Sequence, residues 1–234
     1  DIIGNTIWKW KPGVGKEVVL RPSGHANGMT FDKQGRLTVA GWSLRTIWRF
    51  EHDGSITTIA SNYKGKKFNS PNDIVVKSDG SIYWTDSAGG LVIPGMVAQD
   101  VQRYMDIMGV FRLTPDGSEV QLVVADCTYP NGLAFSPDEK ILYVNDTRLA
   151  LIRAFDVNPD GSVGPGRIFH KMTGTEDGVA DGVGVTGARS AAVTSRASRS
   201  TMLSDEAPLR CPSTSMTSVC GVSEFRPPTH EINS

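Results

Sequence analysis

The sequence predicts an all-β fold, and two observations carry that prediction. The first is a repeat. Ser70-Pro71-Asn72-Asp73 opens a short apolar run, an Asp79-Gly80 turn follows, and a second run ends at Asp86. Tyr129-Pro130-Asn131-Gly132 leads in the same way through Ser136-Pro137-Asp138 to a run ending at Asp146. Ala26-Asn27-Gly28 leads through Gln34-Gly35 to Ala40, and Ala180-Asp181-Gly182 begins a fourth copy. The second observation is the texture of the runs. They are short, β-branched or aromatic, and punctuated by Asp-Gly, which is the signature of hairpins. The anchors Asn27, Asn72, Asn131 and Asp181 lie 45, 59 and 50 residues apart. Units of roughly 40–50 residues built from short strands are the mark of β-propeller blades.

Taken in order, Asp1-Ile2-Ile3-Gly4 reads as the end of a strand. Thr6-Ile7-Trp8-Lys9-Trp10 and Glu17-Val18-Val19-Leu20, joined through Pro12-Gly13, read as the two outer strands of a blade whose first two strands are absent. The units anchored at Asn27, Asn72 and Asn131 each supply four strands. Their outer pairs are 46–50 and 55–59, 109–113 and 120–124, and 152–156 and 167–169. Residues 87–108 are long for a hairpin loop, and such insertions are commonly lids or binding loops. Residues 96–108 carry the chain's one trace of helical periodicity, and Tyr104 with residues 105–108 is a candidate cap for the channel mouth.

After Asp181 the pattern stops. Residues 182–234 contain no Lys, Trp or Tyr, and Ser and Thr make up 16 of the 53. That composition cannot fill a sheet core. The sequence therefore divides into a partial propeller over residues 1–185 and a Ser/Thr/Arg-rich, low-complexity tail over 186–234. The tail is either a genuine extension or an out-of-frame translation past about Val185, and the abruptness of the change favours the latter.

Charge is nearly balanced, with 24 Lys and Arg against 25 Asp and Glu. Nothing points to nucleic acid or an anionic surface as partner. No apolar run approaches ~18 residues, so the expectation is a soluble protein without membrane contact, cytoplasmic or periplasmic, of open oligomeric state. Cys127, Cys211 and Cys220 form no evident framework. A bridge between Cys211 and Cys220 stays open, and Cys127 reads as a small packed residue.

The inner strand of each blade lines the channel of a propeller, so Asn72, Asn131 and Asp181 are expected to converge on one axis. Amide oxygens and a carboxylate are hard donors, suited to Ca²⁺, Mg²⁺ or Mn²⁺, and no Cys or His cluster favours Zn²⁺. Against this stands the ordinary meaning of Asn-Gly, a turn that tolerates left-handed φ. Asp86 and Asp146, at matching slots where the first unit has Gly41, read as turn acceptors. Asn27 shares the anchor slot and is a candidate pocket residue. His25 precedes it at a channel-facing position, able to touch substrate or shuttle a proton. His52, His170 and His230 read as surface residues, and the five Trp as sheet packing. No Gly-x-Ser-x-Gly elbow is present, which argues against a serine hydrolase.

Ser70-Pro71-Asn72-Asp73, Tyr129-Pro130-Asn131-Gly132-Leu133-Ala134-Phe135-Ser136-Pro137-Asp138 and Ala180-Asp181-Gly182 closely resemble the SMP-30/gluconolactonase/LRE (regucalcin-like) family, over residues 1 to about 185. The resemblance implies a six-bladed propeller, here incomplete, with its first strands absent and its last blades missing or scrambled. It implies a hydrolase that opens a small-molecule lactone, often a sugar lactone such as gluconolactone. One divalent ion would sit on the axis, Ca²⁺ first, with Mg²⁺, Mn²⁺ or Zn²⁺ as alternatives. By motif, Asn131, Asp181 and Asn72 map to the metal site. Asp181 also maps to the proton acceptor, and Asn72 faces substrate or ion; Asn27 and His25 are substrate-contact candidates by their place in the repeat alone. The family's Glu ligand lies in a Glu-Gly-Pro motif that nothing here matches, so an inactive chain, and an open ring prone to aggregation, are also expected. Two alternatives remain: a non-catalytic propeller binding a small molecule, Ca²⁺ or a protein, and a strictosidine-synthase-like propeller.

Overall fold

The computed structural model describes residues 1–172, 179–186 and 192–198. The chain starts with a hairpin of β1 (Ile7–Lys11) and β2 (Gly15–Leu20). A first four-stranded antiparallel blade follows, made of β3 (Ala26–Phe31), β4 (Leu37–Gly41), β5 (Thr46–Phe50) and β6 (Ile56–Ala60) in that order. A small hairpin of β7 (Asn62–Tyr63) and β8 (Lys66–Lys67) links it to the second blade. That blade holds β9 (Ser70–Val76), β10 (Ile82–Ser87), β11 (Gly109–Leu113) and β12 (Val120–Val124), with the four-residue helix α1 (Gly89–Val92) after β10. The third blade is β13 (Pro130–Phe135), β14 (Ile141–Asp146), β15 (Leu151–Asp156) and β16 (Arg167–Lys171). Then β17 (Val179–Thr186) pairs with β18 (Ala192–Ser198). The all-β, partial propeller expected from the repeat is the fold observed. β18 falls within the stretch expected to be tail. Cys211, Cys220, His230 and the rest of that stretch lie outside the described residues.

A sheet with two apolar faces must bury both, and consecutive blades do so against each other. Ile47, Phe68, Ile74, Trp84 and Phe111 form the core between the first and second blades. Tyr83, Val110, Leu133, Leu142 and Phe155 fill the space between the second and third. Smaller clusters join the β1–β2 hairpin to the first blade through Ile7, Ala26, Val39 and Trp48, and β17 to the third through Tyr143, Ile152 and Val183. Phe68 meets Trp84 edge-on with centroids 5.3 Å apart, and Trp84 stacks on Phe111 at 5.9 Å. Each such side chain contributes about 1.5–3 kcal/mol by burial. Trp42, Trp48 and Trp84 are buried as expected, whereas Trp8 and Trp10 on β1 are exposed.

The helical trace over 96–108 does not become a helix. The carbonyls that a helix would pair internally are taken by side chains from elsewhere. Ser43 Oγ donates to Met96 O at 2.5 Å, and Arg45 Nη1 donates to Asp100 O at 2.7 Å and Gln102 O at 3.0 Å. Asn69 Nδ2 donates to Ile107 O at 2.9 Å. Met105 packs into the core between the first two blades, and Tyr104 lies beside Arg45 and Lys67. Among the described residues no helix is long and apolar enough to cross a membrane.

Candidate active site

The four anchors share one backbone device. On β3 the register steps from Ala26↔Gly41 to Met29↔Val39, so Asn27 and Gly28 together oppose a single residue of β4. β9 steps from Pro71↔Asp86 to Ile74↔Trp84 around Asn72-Asp73. β13 steps from Pro130↔Asp146 to Leu133↔Val144 around Asn131-Gly132, and β17 from Ala180↔Ala197 to Val183↔Ser195 around Asp181-Gly182. Each is a β-bulge, which bends its strand and re-aims a side chain. Asn27, Asn72, Asn131 and Asp181 therefore leave adjacent inner strands in one register.

The glycine after the anchor has a different purpose from the turn chemistry read in the sequence. Gly28, Gly132 and Gly182 do not have positive φ. A Cβ on Gly132 would instead overlap the backbone of Gly182 and Val183, and one on Gly28 would overlap the backbone of Asn72 and Asp73. Glycine is present because the next inner strand approaches that closely. In the second blade the slot holds Asp73, which uses the same proximity differently. Its Oδ2 accepts the Leu133 N–H at 3.1 Å, tying β9 to β13.

Second-strand residues complete the lattice. Thr85 Oγ1 donates to Asn131 O at 2.5 Å, and Asn145 Nδ2 donates to Asp181 O at 2.6 Å. Each fixes the backbone of the anchor in the following unit. Two positions further on, Thr147 Oγ1 donates to Ala180 O at 2.5 Å. Its one proton is committed, so it can only accept from the Asn131 amide, and Nδ2 lies 3.1 Å away. This turns Asn131 Oδ1 out of the blade. Ser87 stands at the same slot toward Asn72 Nδ2, more loosely, at 3.5 Å. Asn27 meets Trp42 at that slot and donates instead to Asn72 Oδ1 at 3.0 Å. Thr85, Ser87, Asn145 and Thr147 were not singled out in the sequence; their signal is the repeat itself, in the columns on either side of Asp86 and Asp146.

The carboxyl groups divide by environment. Asp86 accepts the N–H groups of Asn69 at 2.8 Å and Ser70 at 2.7 Å, and Asp146 those of Thr128 at 2.6 Å and Tyr129 at 3.1 Å. Both are the turn acceptors expected. Burial pushes Asp86 up to about 7 against those two bonds. Burial likewise raises Asp73 to about 6, opposed by the Leu133 and Ile74 N–H groups, with the nearby Asp181 charge adding to the rise. Asp181 is half-buried, and its carboxylate oxygens accept no hydrogen bond from a described residue. His25 sits at φ +53°, its backbone N–H on Asn5 Oδ1 at 2.9 Å and its Nδ1 2.8 Å from Ile2 O.

This donor set fits a hard divalent cation in kind. Asn131 Oδ1 is turned away from its blade, the Asp181 charge faces a second carboxyl, and Asn145 Oδ1 beside it is buried without a hydrogen-bond partner. Among the described residues no three His, Cys, Asp or Glu side chains gather into a metal cage, so amide oxygens would have to supply most of the protein ligands.

A model of the SMP-30/Gluconolactonase/LRE-like region matches residues 1–196. The chain belongs to this family. It is 38% identical over 161 residues to a gluconolactonase of Zymomonas mobilis, covering 63% of this chain and 44% of that protein. It is 30% identical over 90 residues to lactonase drp35 of Staphylococcus aureus, covering 38% and 24%. Among solved structures, a gluconolactonase from Xanthomonas campestris superposes with a TM-score of 0.73 at 37% identity, over 80% of this chain and 61% of that one. The family member described here thus spans less than two thirds of these relatives.

Proposed function

We propose that this chain carries the site of a lactonase: a hydrolase that opens a lactone ring, with gluconolactone as the model substrate. The observation that carries the reading is the repeated bulge, which aims Asn72, Asn131 and Asp181 from adjacent inner strands. The likeness to gluconolactonases supports it. Asn131, Asp181 and Asn72 would hold one divalent cation, Ca²⁺ first. Such an ion, when bound, polarises a carbonyl and lowers the pKa of water.

The chain's own residues do the rest. Asp181 accepts the proton of the water that attacks the carbonyl carbon. The ring C–O bond then breaks, and its oxygen takes the proton back from Asp181 to leave as the hydroxyl of the open acid. Asn27 and Asn72, already bonded to each other, present amide groups to the substrate's polar edge, and His25 lies two residues before Asn27, immediately ahead of β3. Thr147 keeps the Asn131 amide oriented.

Hydrolysis of glucono-δ-lactone, followed by acid release, tests this. Activity is expected to vanish on chelation and return with CaCl₂. Asp181→Ala is expected to lower kcat by roughly 10²–10⁴-fold without loss of fold. Activity that survives both treatments would refute the reading.

A further inference from the structure

The stretch from Met96 to Gln102 takes no part in the axis site. Its carbonyls are tied to the first blade by Ser43 and Arg45. Between residues 97–100, the turn at 43–46 and the β7–β8 hairpin lies a cavity of about 850 Å³. A volume of this size takes a small molecule. None of Asn27, Asn72, Asn131 and Asp181 lines it.

Its walls carry two signals. The first is apolar. Leu44, Ile56 and Val97 come from three separate segments and line the cavity, yet they are 53%, 49% and 44% exposed. The second is charge. Arg45 and Lys67 stand on the cavity wall against one carboxylate, Asp100. His25, the remaining titratable group there, adds no negative charge in either protonation state. The Asp100 oxygens are already committed. Oδ2 accepts from Lys67 Nζ at 2.7 Å and from the Tyr104 hydroxyl at 3.2 Å, and Oδ1 accepts the Gln102 N–H at 3.1 Å. Arg45 Nη1 lies 3.7 Å from Oδ1, beyond hydrogen-bond length. The buried Arg45 guanidinium therefore bonds only neutral carbonyls, those of Phe68, Asp100 and Gln102. Its Nη2 is buried without a partner among the described residues. A buried charge so poorly matched favours an anion nearby. Lys67 Nζ has three protons and spends one on Asp100, so it can also donate to that anion.

We propose that this cavity is a second binding site, for a small carboxylate with an apolar body. Lys67 bonds the carboxylate, the Arg45 charge adds its field from behind, and Leu44, Ile56 and Val97 cover the body. The site is independent of the lactone reading.

Ligand-observed NMR titration of the full chain in EDTA tests this, with benzoate as probe and benzamide as its neutral counterpart. Benzoate is expected to bind with a Kd of about 1 mM or tighter, a modest yield for nine heavy atoms. Benzamide is expected to bind at least about tenfold more weakly, the size of one charge-assisted hydrogen bond. Lys67 is about half exposed, so Lys67→Met leaves the fold intact. It should weaken benzoate about tenfold and leave benzamide unchanged. Val97→Asp should abolish benzoate binding, and Asp181→Ala should not affect it. No benzoate binding, equal binding of benzamide, or indifference to Lys67→Met or Val97→Asp would overturn the proposal. So would loss of binding in Asp181→Ala, which would assign benzoate to the axis. Displacement of benzoate by an equal concentration of inorganic phosphate would leave an adventitious ion only, and would overturn it too.

Discussion

The first and third blades carry the same bulge and support it differently. In the third, the blade's own second strand supplies the partners. Asp146 accepts the N–H groups leading into β13, and Thr147 takes the Asn131 amide. In the first blade those slots hold Gly41 and Trp42, which offer no side-chain acceptor. The partners are borrowed from neighbours instead. Asn5 Oδ1, from before β1, accepts the N–H groups of Ser23 and His25 at 2.9 Å each, and the Asn27 amide turns to Asn72 Oδ1. The backbone geometry is thus kept while its support is either local or lent across a blade boundary. The consequence is functional. Asn131 is left with an oxygen aimed away from its blade, whereas Asn27 and Asn72 are tied to each other.

The close approach of inner strands is the part of this comparison with the largest expected effect. Gly132→Ala would place a Cβ against the backbone of Gly182 and Val183, where no flexible side chain can yield. A loss of about 3 kcal/mol is expected from such overpacking. Gly182 occupies the same bulge slot, but among the described residues nothing lies within 4 Å of its Cβ position. Gly182→Ala should therefore cost under about 0.5 kcal/mol. Urea unfolding of the two variants separates the explanations. Equal losses would mean that the bulge itself, and not the neighbouring strand, demands glycine.

Next in size is the buried acceptor that the first blade lacks. Asp86 is fully buried and serves two N–H groups with its two oxygens. Asp86→Asn leaves one of them facing an amide NH₂, at a cost of about 1–3 kcal/mol. The same residue gives a pH dependence. Its carboxyl is raised to about 7 in the folded chain from 3.8, so the native state holds the proton that the unfolded state releases. The stability contributed by the protonated form is full below about pH 4 and is lost as pH rises through about 7. Urea midpoints across that range should fall for the wild type and flatten for Asp86→Asn. A wild type whose midpoint climbs from pH 4 to 7 would show Asp86 to be ionised throughout.

These cases mark what the sequence could and could not disclose. Strand positions and the anchor column were legible because Asp-Gly turns and apolar runs recur within one chain segment. Asp86 and Asp146 were legible for the same reason, as matching slots with a local task. The meaning of Gly28 and Gly132 was not. Asn-Gly specifies a turn locally, and only the arrival of the next blade's backbone, some 45–50 residues away, makes the glycine a matter of space. Asn5, as acceptor for Ser23 and His25, has no repeat to announce it. The 96–108 segment failed for a related reason. Its periodicity is local, but Arg45, Ser43 and Asn69 claim its carbonyls from distant positions. Thr85 and Thr147 lay in readable columns, yet a hydroxyl in a strand carries no sign of whose carbonyl it will meet.

The smallest expected effect is the most direct check on how the site is oriented. Thr147→Val keeps the shape of the side chain and removes both the acceptor for Asn131 Nδ2 and the donor to Ala180 O, of which the first orients the amide. The amide is then free to rotate its oxygen away from the axis. Loss of the one bond that orients the amide, about 1 kcal/mol, corresponds to about fivefold weaker Ca²⁺ binding by calorimetry. Ser87→Ala removes a contact of 3.5 Å at the matching slot and should weaken binding less than about twofold. Thr147→Ser keeps the hydroxyl and should restore the wild-type value. If valine, serine and threonine at 147 all bind the ion alike, the Asn131 oxygen is not a ligand, and the burden of holding a cation shifts to Asp181 and the Asn27–Asn72 pair.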